Sequence, residues 1–109
     1  MKPTIALDFD GVLNNYTGWR GDNQLYEPLP CLEDFLMELN KEYDVVIFTC
    51  RDINKVYTWL EKYNLRQYVK VVTETKPKAR IYIDDRALKF KGNYLETLNE
   101  INKFKTWWE

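Results

Sequence analysis

Residues 5–15 read IALDFDGVLNN, an apolar run that ends in two aspartates, Asp8 and Asp10, directly before Gly11. The run is typical of a buried β-strand. Aspartate is a poor strand former, however, and two nearby carboxylates repel each other. We therefore interpret the two acids as lying at the end of the strand, where they serve chemistry rather than packing. Gly11 permits a sharp turn directly after them, which would bring the Asp10 side chain back toward the strand end.

The length and composition indicate one globular domain over residues 1–109. Apolar residues make up 45% of the chain, charged residues 30%, and the net charge is −1, so no basic field indicates binding to nucleic acid or to an anionic membrane. The apolar runs are too short to cross a bilayer, and the N-terminus has no signal-peptide pattern. Two cysteines do not indicate a disulfide framework, so we expect a cytoplasmic protein with no membrane partner.

The chain contains no histidine. This excludes histidine acid–base chemistry, histidine zinc ligands and Ser-His-Asp triads within this chain. General acids and bases must then come from Asp, Glu, Lys, Tyr or Cys. Cys50 is interpreted as a small buried strand residue rather than a nucleophile, because position 56 is Val56 and not the arginine of a Cys-x₅-Arg phosphatase loop.

Strand-like and helix-like stretches alternate along the chain. The predicted strands are TIALDF, DVVIFTC, VKVVTE and RIYIDD, and the predicted helices are CLEDFLMELNKE, DINKVYTWLEKYNL and NYLETLNEINKFKTWW. Asp52 is the expected N-cap of the second helix, and Leu95, Leu98 and Ile101 of the third are expected to face the core. This order predicts an α/β, three-layer Rossmann-like fold, in which helices flank a short parallel sheet of about four core strands.

Most of the candidate functional residues fall at the carboxyl ends of the predicted strands, where parallel sheets bind ligands. They are Asp8 and Asp10 after the first strand, Thr49 after the second, and Asp84 and Asp85 after the fourth. Facing carboxylates are costly unless a cation lies between them, and ligands that are all oxygen favour a hard cation such as Mg²⁺. With Lys76 and Lys78 just before the fourth strand, the pattern predicts a phosphate site in which Asp8 attacks phosphorus.

Four stretches resemble, in order, the four motifs of the haloacid dehalogenase (HAD) superfamily. DFDGVL resembles the first motif, DxDGx(L/T/V), VVIFTCR the second, TKPKA the third and IYIDDRA the fourth. Together they span residues 5–87, most of the chain. The resemblance implies a Mg²⁺-dependent phosphatase that acts on a phosphorylated substrate through an aspartyl-phosphate intermediate. The intervals between the motifs are too short for an inserted cap domain, so a capless member with an open site is expected.

The resemblance assigns roles to the acids. It implies that Asp8 is the nucleophile and a metal ligand, and that Asp10 is the general acid/base, with its backbone carbonyl also on the metal. An acid at this second position is the phosphatase form of the family rather than the dehalogenase form. Asp84 and Asp85 would complete the magnesium site, and which of the two touches the metal directly stays open.

The resemblance also assigns residues to phosphate and substrate binding. It implies that Thr49 hydrogen-bonds the transferring phosphoryl group and that Lys76 offsets its charge, with Lys78 as the rival lysine. Cys50 and Arg51 follow Thr49 and are candidate substrate contacts. A surface salt bridge is an equally plausible role for Arg51.

Several alternatives stay open from the sequence. The loop over residues 14–30 is the expected flap, and its Tyr16, Trp19 and Arg20 either grip the substrate or pack within the loop. Trp107 and Trp108 are interpreted as helix-end packing, with a dimer contact as the alternative, and a homo-oligomer remains open. The substrate would be a phosphorylated small molecule or a nucleotide or oligonucleotide end. Phosphotransfer, 3′-phosphatase activity and a non-enzymatic receiver-like signalling module are the competing functions.

Overall fold

The computed structural model describes residues 1–21 and 23–109 and has an α/β fold, as the sequence predicts. Among these residues, a four-stranded parallel sheet with the order β3-β2-β1-β4 is accompanied by three α-helices, and no cap domain interrupts it. The strands are β1 (Thr4–Leu7), β2 (Asp44–Phe48), β3 (Val71–Thr73) and β4 (Ile81–Ile83), and the helices are α1 (Leu32–Asn40), α2 (Ile53–Lys62) and α3 (Tyr94–Lys103).

The core lies on one face of the sheet, because alternate strand residues point to the same side. Ile5 pairs with Val45 and Leu7 pairs with Ile47 in parallel register. These four side chains, together with Val72 of β3, belong to the buried apolar cluster. The same cluster contains the buried residues of α1 and α2, namely Leu32, Leu36, Val56, Trp59 and Leu60. Both helices therefore cover this face.

Helix α2 begins at the N-cap that the sequence predicts. The Asp52 side chain accepts a hydrogen bond from the Lys55 backbone N–H, so Asp52 is the N-cap of α2, as expected. Helix α1 buries Leu32 and Leu36, whereas Phe35 is 41% exposed. The α-helices are 9 or 10 residues long, and in the described part of the chain none is both long and apolar enough to cross a membrane.

The opposite face of the sheet carries the other alternate residues, among them Ala6, Phe48 and Tyr82. Right-handed connections from β1 to β2 to β3 place α1 and α2 on the same side of the sheet. The chain then returns to the far side of β1 through residues 74–80, which contain no helix. This second face borders a cleft of about 850 Å³ that is lined by residues from β1, β2, β4 and the segments flanking β4.

Helix α3 differs from the sequence expectation in the side that it presents to solvent. Leu95, Leu98 and Ile101 were expected to face the core, but they are 76%, 57% and 53% exposed. None of the residues of α3 is buried, and the helix has no extensive contact with another helix or strand in the described chain. The amphipathic pattern correctly identifies an apolar side, but the folded chain does not cover it.

Candidate functional site

The end of β1 fixes the position of Asp8. Its backbone N–H donates a hydrogen bond to the Ile83 carbonyl at 2.9 Å, which extends the pairing of β1 and β4 by one residue. The next side chain, Phe9, is fully buried and packs edge to face on Trp59, with ring centroids 4.8 Å apart. Because Phe9 is anchored in the core, the acids on either side of it are held at the carboxyl edge of the sheet.

Three carboxylates converge at this edge. Asp8, Asp84 and Asp85 each offer an oxygen, and these oxygens lie within 4.8 Å of one another. Asp84 is exposed, whereas Asp8 and Asp85 are partly buried. Asp85 Oδ1 is buried and has no hydrogen-bond partner among the described residues. An unpartnered buried carboxylate oxygen beside two further acids is a suitable ligand set for a hard cation.

The cluster changes the acidity of Asp8. Burial and the neighbouring carboxylates of Asp85 and Asp84 together raise the pKa of Asp8 to about 8, and burial makes the largest contribution. The protein without a cation therefore favours a protonated Asp8 at neutral pH. A cation between the carboxylates would remove this proton and favour the charged, nucleophilic form.

Gly11 is required at the turn that follows the acids. Its φ is +83°, a conformation that side chains with a Cβ rarely adopt. A Cβ at this position would also overlap with Asp85 Oδ2. Gly11 therefore both turns the chain and leaves space for the Asp85 carboxylate.

Asp10 is not one of the three converging acids and has partners of its own. Arg51 Nε donates to Asp10 Oδ2 at 2.6 Å and Arg51 Nη2 to Asp10 Oδ1 at 3.3 Å, and Asn14 Nδ2 donates to Oδ1 at 3.0 Å. The Arg51 side chain is only 2% exposed and the Asp10 side chain 21% exposed, so this ion pair is largely buried and is not the surface salt bridge considered above. Arg51 also donates to the Gly21 carbonyl and lies 4.3 Å from the Trp19 ring, which connects Asp10 to the loop 14–30.

The residues after β2 reach the same edge of the sheet. Thr49 is buried, its backbone N–H donates to the Thr73 carbonyl, and its Oγ1 accepts a hydrogen bond from the Arg51 backbone at 3.0 Å. The expectation that Cys50 is buried is wrong, because Cys50 is exposed. Cys50 follows the last strand residue by two positions, so the chain has already left the sheet.

Of the two candidate lysines, Lys76 lines the cleft together with Asp8 and Asp84. Its Nζ lies 4.9 Å from the centre of the Tyr82 ring. The Tyr82 hydroxyl donates to the Pro77 carbonyl at 2.6 Å and accepts from the Ala79 N–H at 3.2 Å, so this residue also holds the TKPKA turn against β4. Both lysines are exposed, but Lys78 does not line the cleft.

The C-terminal tail contributes contacts that the sequence did not indicate. Trp108 Nε1 donates to Asp85 Oδ2 at 2.6 Å, and Trp107 Nε1 donates to the Gly11 carbonyl at 2.7 Å. These residues follow α3 rather than packing at its end. Indole N–H groups need an acceptor when they are partly buried, but no pattern in the sequence says which acceptor they find.

The described residues of the loop 14–30 are held by hydrogen bonds at its base and pack against one another. Asn14 bridges to Pro28, and the Asn15 N–H donates to the Glu27 carbonyl. Tyr16 is buried between Tyr26 and Trp108, at centroid distances of 5.5 and 5.0 Å. The Arg20 guanidinium lies 5.6 Å from the Tyr26 ring, and Trp19 is 60% exposed. Loop packing thus accounts for Tyr16 and Arg20, whereas Trp19 covers Arg51.

Comparison with known proteins supports the fold and no more. The chain matches no protein-family model and no curated protein. It is similar in structure to a conserved protein from Bacteroides thetaiotaomicron, with a TM-score of 0.62 and 22% sequence identity over 97% of this chain and 94% of that one. At 22% identity this similarity shows a shared α/β architecture over nearly the whole length of both chains.

Proposed function

We propose that this protein is a Mg²⁺-dependent phosphohydrolase of the HAD type, with Asp8 as its nucleophile. The observation that carries the proposal is the convergence of Asp8, Asp84 and Asp85 at the carboxyl edge of a parallel sheet. Lys76 lines the same cleft, which supplies the positive charge that a phosphate group needs. The order of the motifs along the chain and the absence of a cap domain from the described residues are consistent with this class.

The three acids fit a magnesium ion in number and in chemistry. Asp8, Asp84 and Asp85 would hold the ion. Asp85 Oδ1 is buried without a hydrogen-bond partner within the described structure, and the ion would provide a partner. The other oxygen of this carboxylate, Oδ2, accepts a hydrogen bond from Trp108 Nε1 and lies close to Gly11. When bound, the ion would supply positive charge that stabilises the phosphate oxygens and the ionised carboxylates.

The residues of the site divide the reaction into two displacements. An oxygen of Asp8 attacks phosphorus, an O–P bond to Asp8 forms, and the bond to the leaving oxygen breaks as Asp10, which must enter this step protonated, gives that oxygen its proton. Water then attacks the aspartyl-phosphate, Asp10 accepts a proton from the water, and phosphate leaves with the Asp8 carboxylate restored. Lys76 and the hydroxyl of Thr49 stabilise the phosphoryl group during both steps.

Arg51 would act as a positioning residue rather than as a substrate contact. Its guanidinium donates two hydrogen bonds to the Asp10 carboxylate and one to the Gly21 carbonyl. A buried arginine with two hydrogen bonds to one carboxylate fixes the orientation of that carboxylate. The role that we assign to Arg51 is to fix the orientation of the Asp10 carboxylate in the ionised form that accepts a proton from the attacking water.

Activity is expected to depend on a divalent cation. Hydrolysis of a generic aryl phosphate should require Mg²⁺ and fall to background in excess EDTA, because the acid cluster without a cation repels a phosphate dianion. The effect is measured from the absorbance of the released aryl alcohol, first in EDTA and again after Mg²⁺ is added back. Full activity in excess EDTA would contradict the proposal.

The two neighbouring lysines provide a matched pair of variants. Lys76→Ala is expected to lower turnover about a hundredfold, the order of a lost transition-state donor, because Lys76 lines the cleft beside Asp8. Lys78→Ala should retain most of the activity, since Lys78 does not line the cleft. Steady-state kinetics of both variants, with circular dichroism as the folding control, test the assignment. A crippled Lys78→Ala beside an active Lys76→Ala would reverse it.

The competing functions make distinct predictions for the same site. A phosphotransferase would use the same residues, and product analysis with an added acceptor alcohol distinguishes it from a hydrolase. A receiver module carries its phospho-accepting aspartate after the third strand, but here β3 is followed by Glu74 and Thr75. A stably phosphorylated protein without turnover of any phosphoester would favour the receiver.

A further inference from the structure

The cleft beside the acid cluster is larger than one phosphate group needs. Its volume is about 850 Å³, within the range of roughly 300–1,000 Å³ for pockets that enclose a whole small molecule. Asp8 and Asp84 line the cleft at the carboxyl edge of the sheet, where the proposed reaction takes place. Other residues of the cleft extend along the whole length of β4, away from this edge. The cleft therefore has room for a part of the substrate that lies far from the reacting phosphorus.

Strand β4 aligns three different side chains along this cleft. The Arg80 backbone N–H donates to the Thr4 carbonyl at 2.9 Å, so the pairing of β4 with β1 already includes Arg80. Alternate residues of a strand point to the same side. Arg80, Tyr82 and Asp84 therefore share one face, and all three line the cleft. At roughly 3.3 Å per residue, the Cα atoms of Arg80 and Asp84 are about 13 Å apart.

Three cationic side chains line the cleft besides the acids. Lys76 precedes β4 in the chain, Arg80 lies at its start, and Lys89 follows it. None of the three forms an ion pair with an acid among the residues that the structure describes. In the proposed reaction, the ion neutralises the acids of the cleft and Lys76 accompanies the reacting phosphate group. Arg80 and Lys89 are then left without an anion, although cations collected in a cleft attract one.

The Tyr82 ring separates Arg80 from the acids that would hold the ion. Its hydroxyl donates to the Pro77 carbonyl at 2.6 Å, and Lys76 Nζ lies 4.9 Å from the ring centre. Strand side chains stand roughly perpendicular to the sheet, so the ring lies between Arg80 and Asp84. A single phosphate group therefore does not reach both ends of β4. The cleft has one position for an anion at each end and an aromatic surface between them.

We propose that the substrate is a phosphomonoester that carries a second phosphate group, which Arg80 and Lys89 bind while Asp8 attacks the first. This inference rests on the proposed function and specifies its substrate. A guanidinium holds a phosphate group through two parallel hydrogen bonds, and Lys89 adds a second positive charge. The two phosphate groups would be roughly 10 Å apart, somewhat less than the length of β4 from Arg80 to Asp84. Small bisphosphates and the phosphorylated ends of oligonucleotides both provide this chemistry.

Matched substrates measure the contribution of the second phosphate group. The value of kcat/KM per phosphate group is compared for hexanediol bisphosphate and hexyl phosphate, which differ only in that group, with Mg²⁺ present. The bisphosphate should be preferred by roughly tenfold to a hundredfold, the order of a charge-assisted contact. The preference should arise mostly in KM, because the second phosphate group takes no part in the reaction. Butanediol bisphosphate, whose phosphate groups are closer together, should show a smaller preference over butyl phosphate.

Variants of the two cations test where the second phosphate group binds. Arg80→Gln should abolish most of the preference, and Lys89→Gln should reduce it. Lys78→Gln is the matched control, because it removes the same charge two positions from Arg80 but outside the cleft, and it should keep the wild-type preference. Circular dichroism checks that each variant folds, and Lys89→Gln decides the matter should Arg80→Gln fail to fold.

A nucleotide series identifies the source of the second phosphate group. A 3′-phosphorylated trinucleotide and a 3′-mononucleotide are compared in the wild type and in Arg80→Gln. A preference that depends on Arg80 in the alkanediol series assigns the position to a small bisphosphate. The same preference in the nucleotide series alone assigns it to the backbone of a nucleic acid. If neither series shows it, the proposal is overturned.

Failure of this inference is distinguishable from failure of the proposed function. Equal turnover of each matched pair, or a preference that survives Arg80→Gln, overturns the second phosphate position and leaves the phosphohydrolase intact. A preference that Lys78→Gln loses equally reports only the net charge and also overturns it. Calorimetric binding of the same compounds to Asp8→Asn with Mg²⁺ covers the opposite case. Tighter binding of the bisphosphate that Arg80→Gln removes, without turnover by the wild type, would contradict the phosphohydrolase and support the second position.

Discussion

Asp8→Asn is expected to reduce turnover of phosphomonoesters by at least about a thousandfold, in the range seen when a covalent nucleophile is removed. The amide keeps the shape of the side chain but has no charged oxygen with which to attack phosphorus. It also removes one of the three carboxylates that converge at the sheet edge. Steady-state kinetics with Mg²⁺ present measure the loss, and turnover within tenfold of wild type would exclude Asp8 as the nucleophile.

The same variant is expected to be more stable than the wild type when no divalent cation is present. The folded-state pKa of Asp8 is raised from 3.8 to about 8, mainly by burial. The folded protein therefore holds a proton that the unfolded chain loses, and wild-type stability falls as the pH rises from about 4 to about 8. The amide of the variant does not titrate, so this loss is absent from Asp8→Asn.

Thermal unfolding in EDTA at pH 5 and pH 8 measures the difference. The melting temperature of Asp8→Asn should exceed that of the wild type by several degrees at pH 8, since each kcal/mol corresponds to about 4–8 °C in a domain of this size. At pH 5 the two should be closer. Added Mg²⁺ should raise the melting temperature of the wild type more than that of the variant. A variant that is less stable than the wild type at pH 8 would contradict the account of the acid cluster.

Asp10→Asn is the second large effect, and its size should depend on the leaving group. Protonation of a poor leaving group is typically worth about 10²–10⁴-fold, so hydrolysis of alkyl phosphates should fall by that order. Nitrophenolate leaves without a proton, so nitrophenyl phosphate should be affected much less. The ratio of the two losses is informative because it does not depend on the concentration of active enzyme.

Arg51→Met provides the comparison for Asp10. It removes the two hydrogen bonds that orient the Asp10 carboxylate but leaves the carboxylate itself. We expect the same leaving-group dependence as for Asp10→Asn, with a smaller loss on alkyl esters. Equal losses on alkyl and nitrophenyl esters in Asp10→Asn would argue that Asp10 is not the acid.

The fold could be predicted from the sequence where short-range patterns determine it. Apolar runs rich in β-branched residues identify all four strands, and Asp52 marks the start of α2 as its N-cap. The alternation of strands and helices predicts the parallel sheet. The environment of α3 could not be predicted in this way. Its Leu95, Leu98 and Ile101 establish that an apolar side exists, but periodicity does not say what covers it.

The geometry of the site follows from topology for some residues and not for others. Asp8, Asp84 and Asp85 end neighbouring parallel strands, so their convergence is a consequence of the strand order. The pairing of Arg51 with Asp10 joins positions 41 residues apart, and charge alone does not select one carboxylate among several. Trp108 reaches Asp85 from beyond α3, a contact that depends on where the last helix ends.

The most direct test of the account is phosphate release from a panel of phosphorylated metabolites, nucleotides and 3′-phosphorylated oligonucleotides, with Mg²⁺ present. Wild-type protein and Asp8→Asn are assayed in parallel, so that a contaminating phosphatase appears equally in both preparations. We predict that at least one compound is hydrolysed by the wild type and that this activity is lost in the variant and in EDTA. Absence of turnover across the panel, or equal turnover by both proteins, would contradict the assignment of a phosphohydrolase site to Asp8.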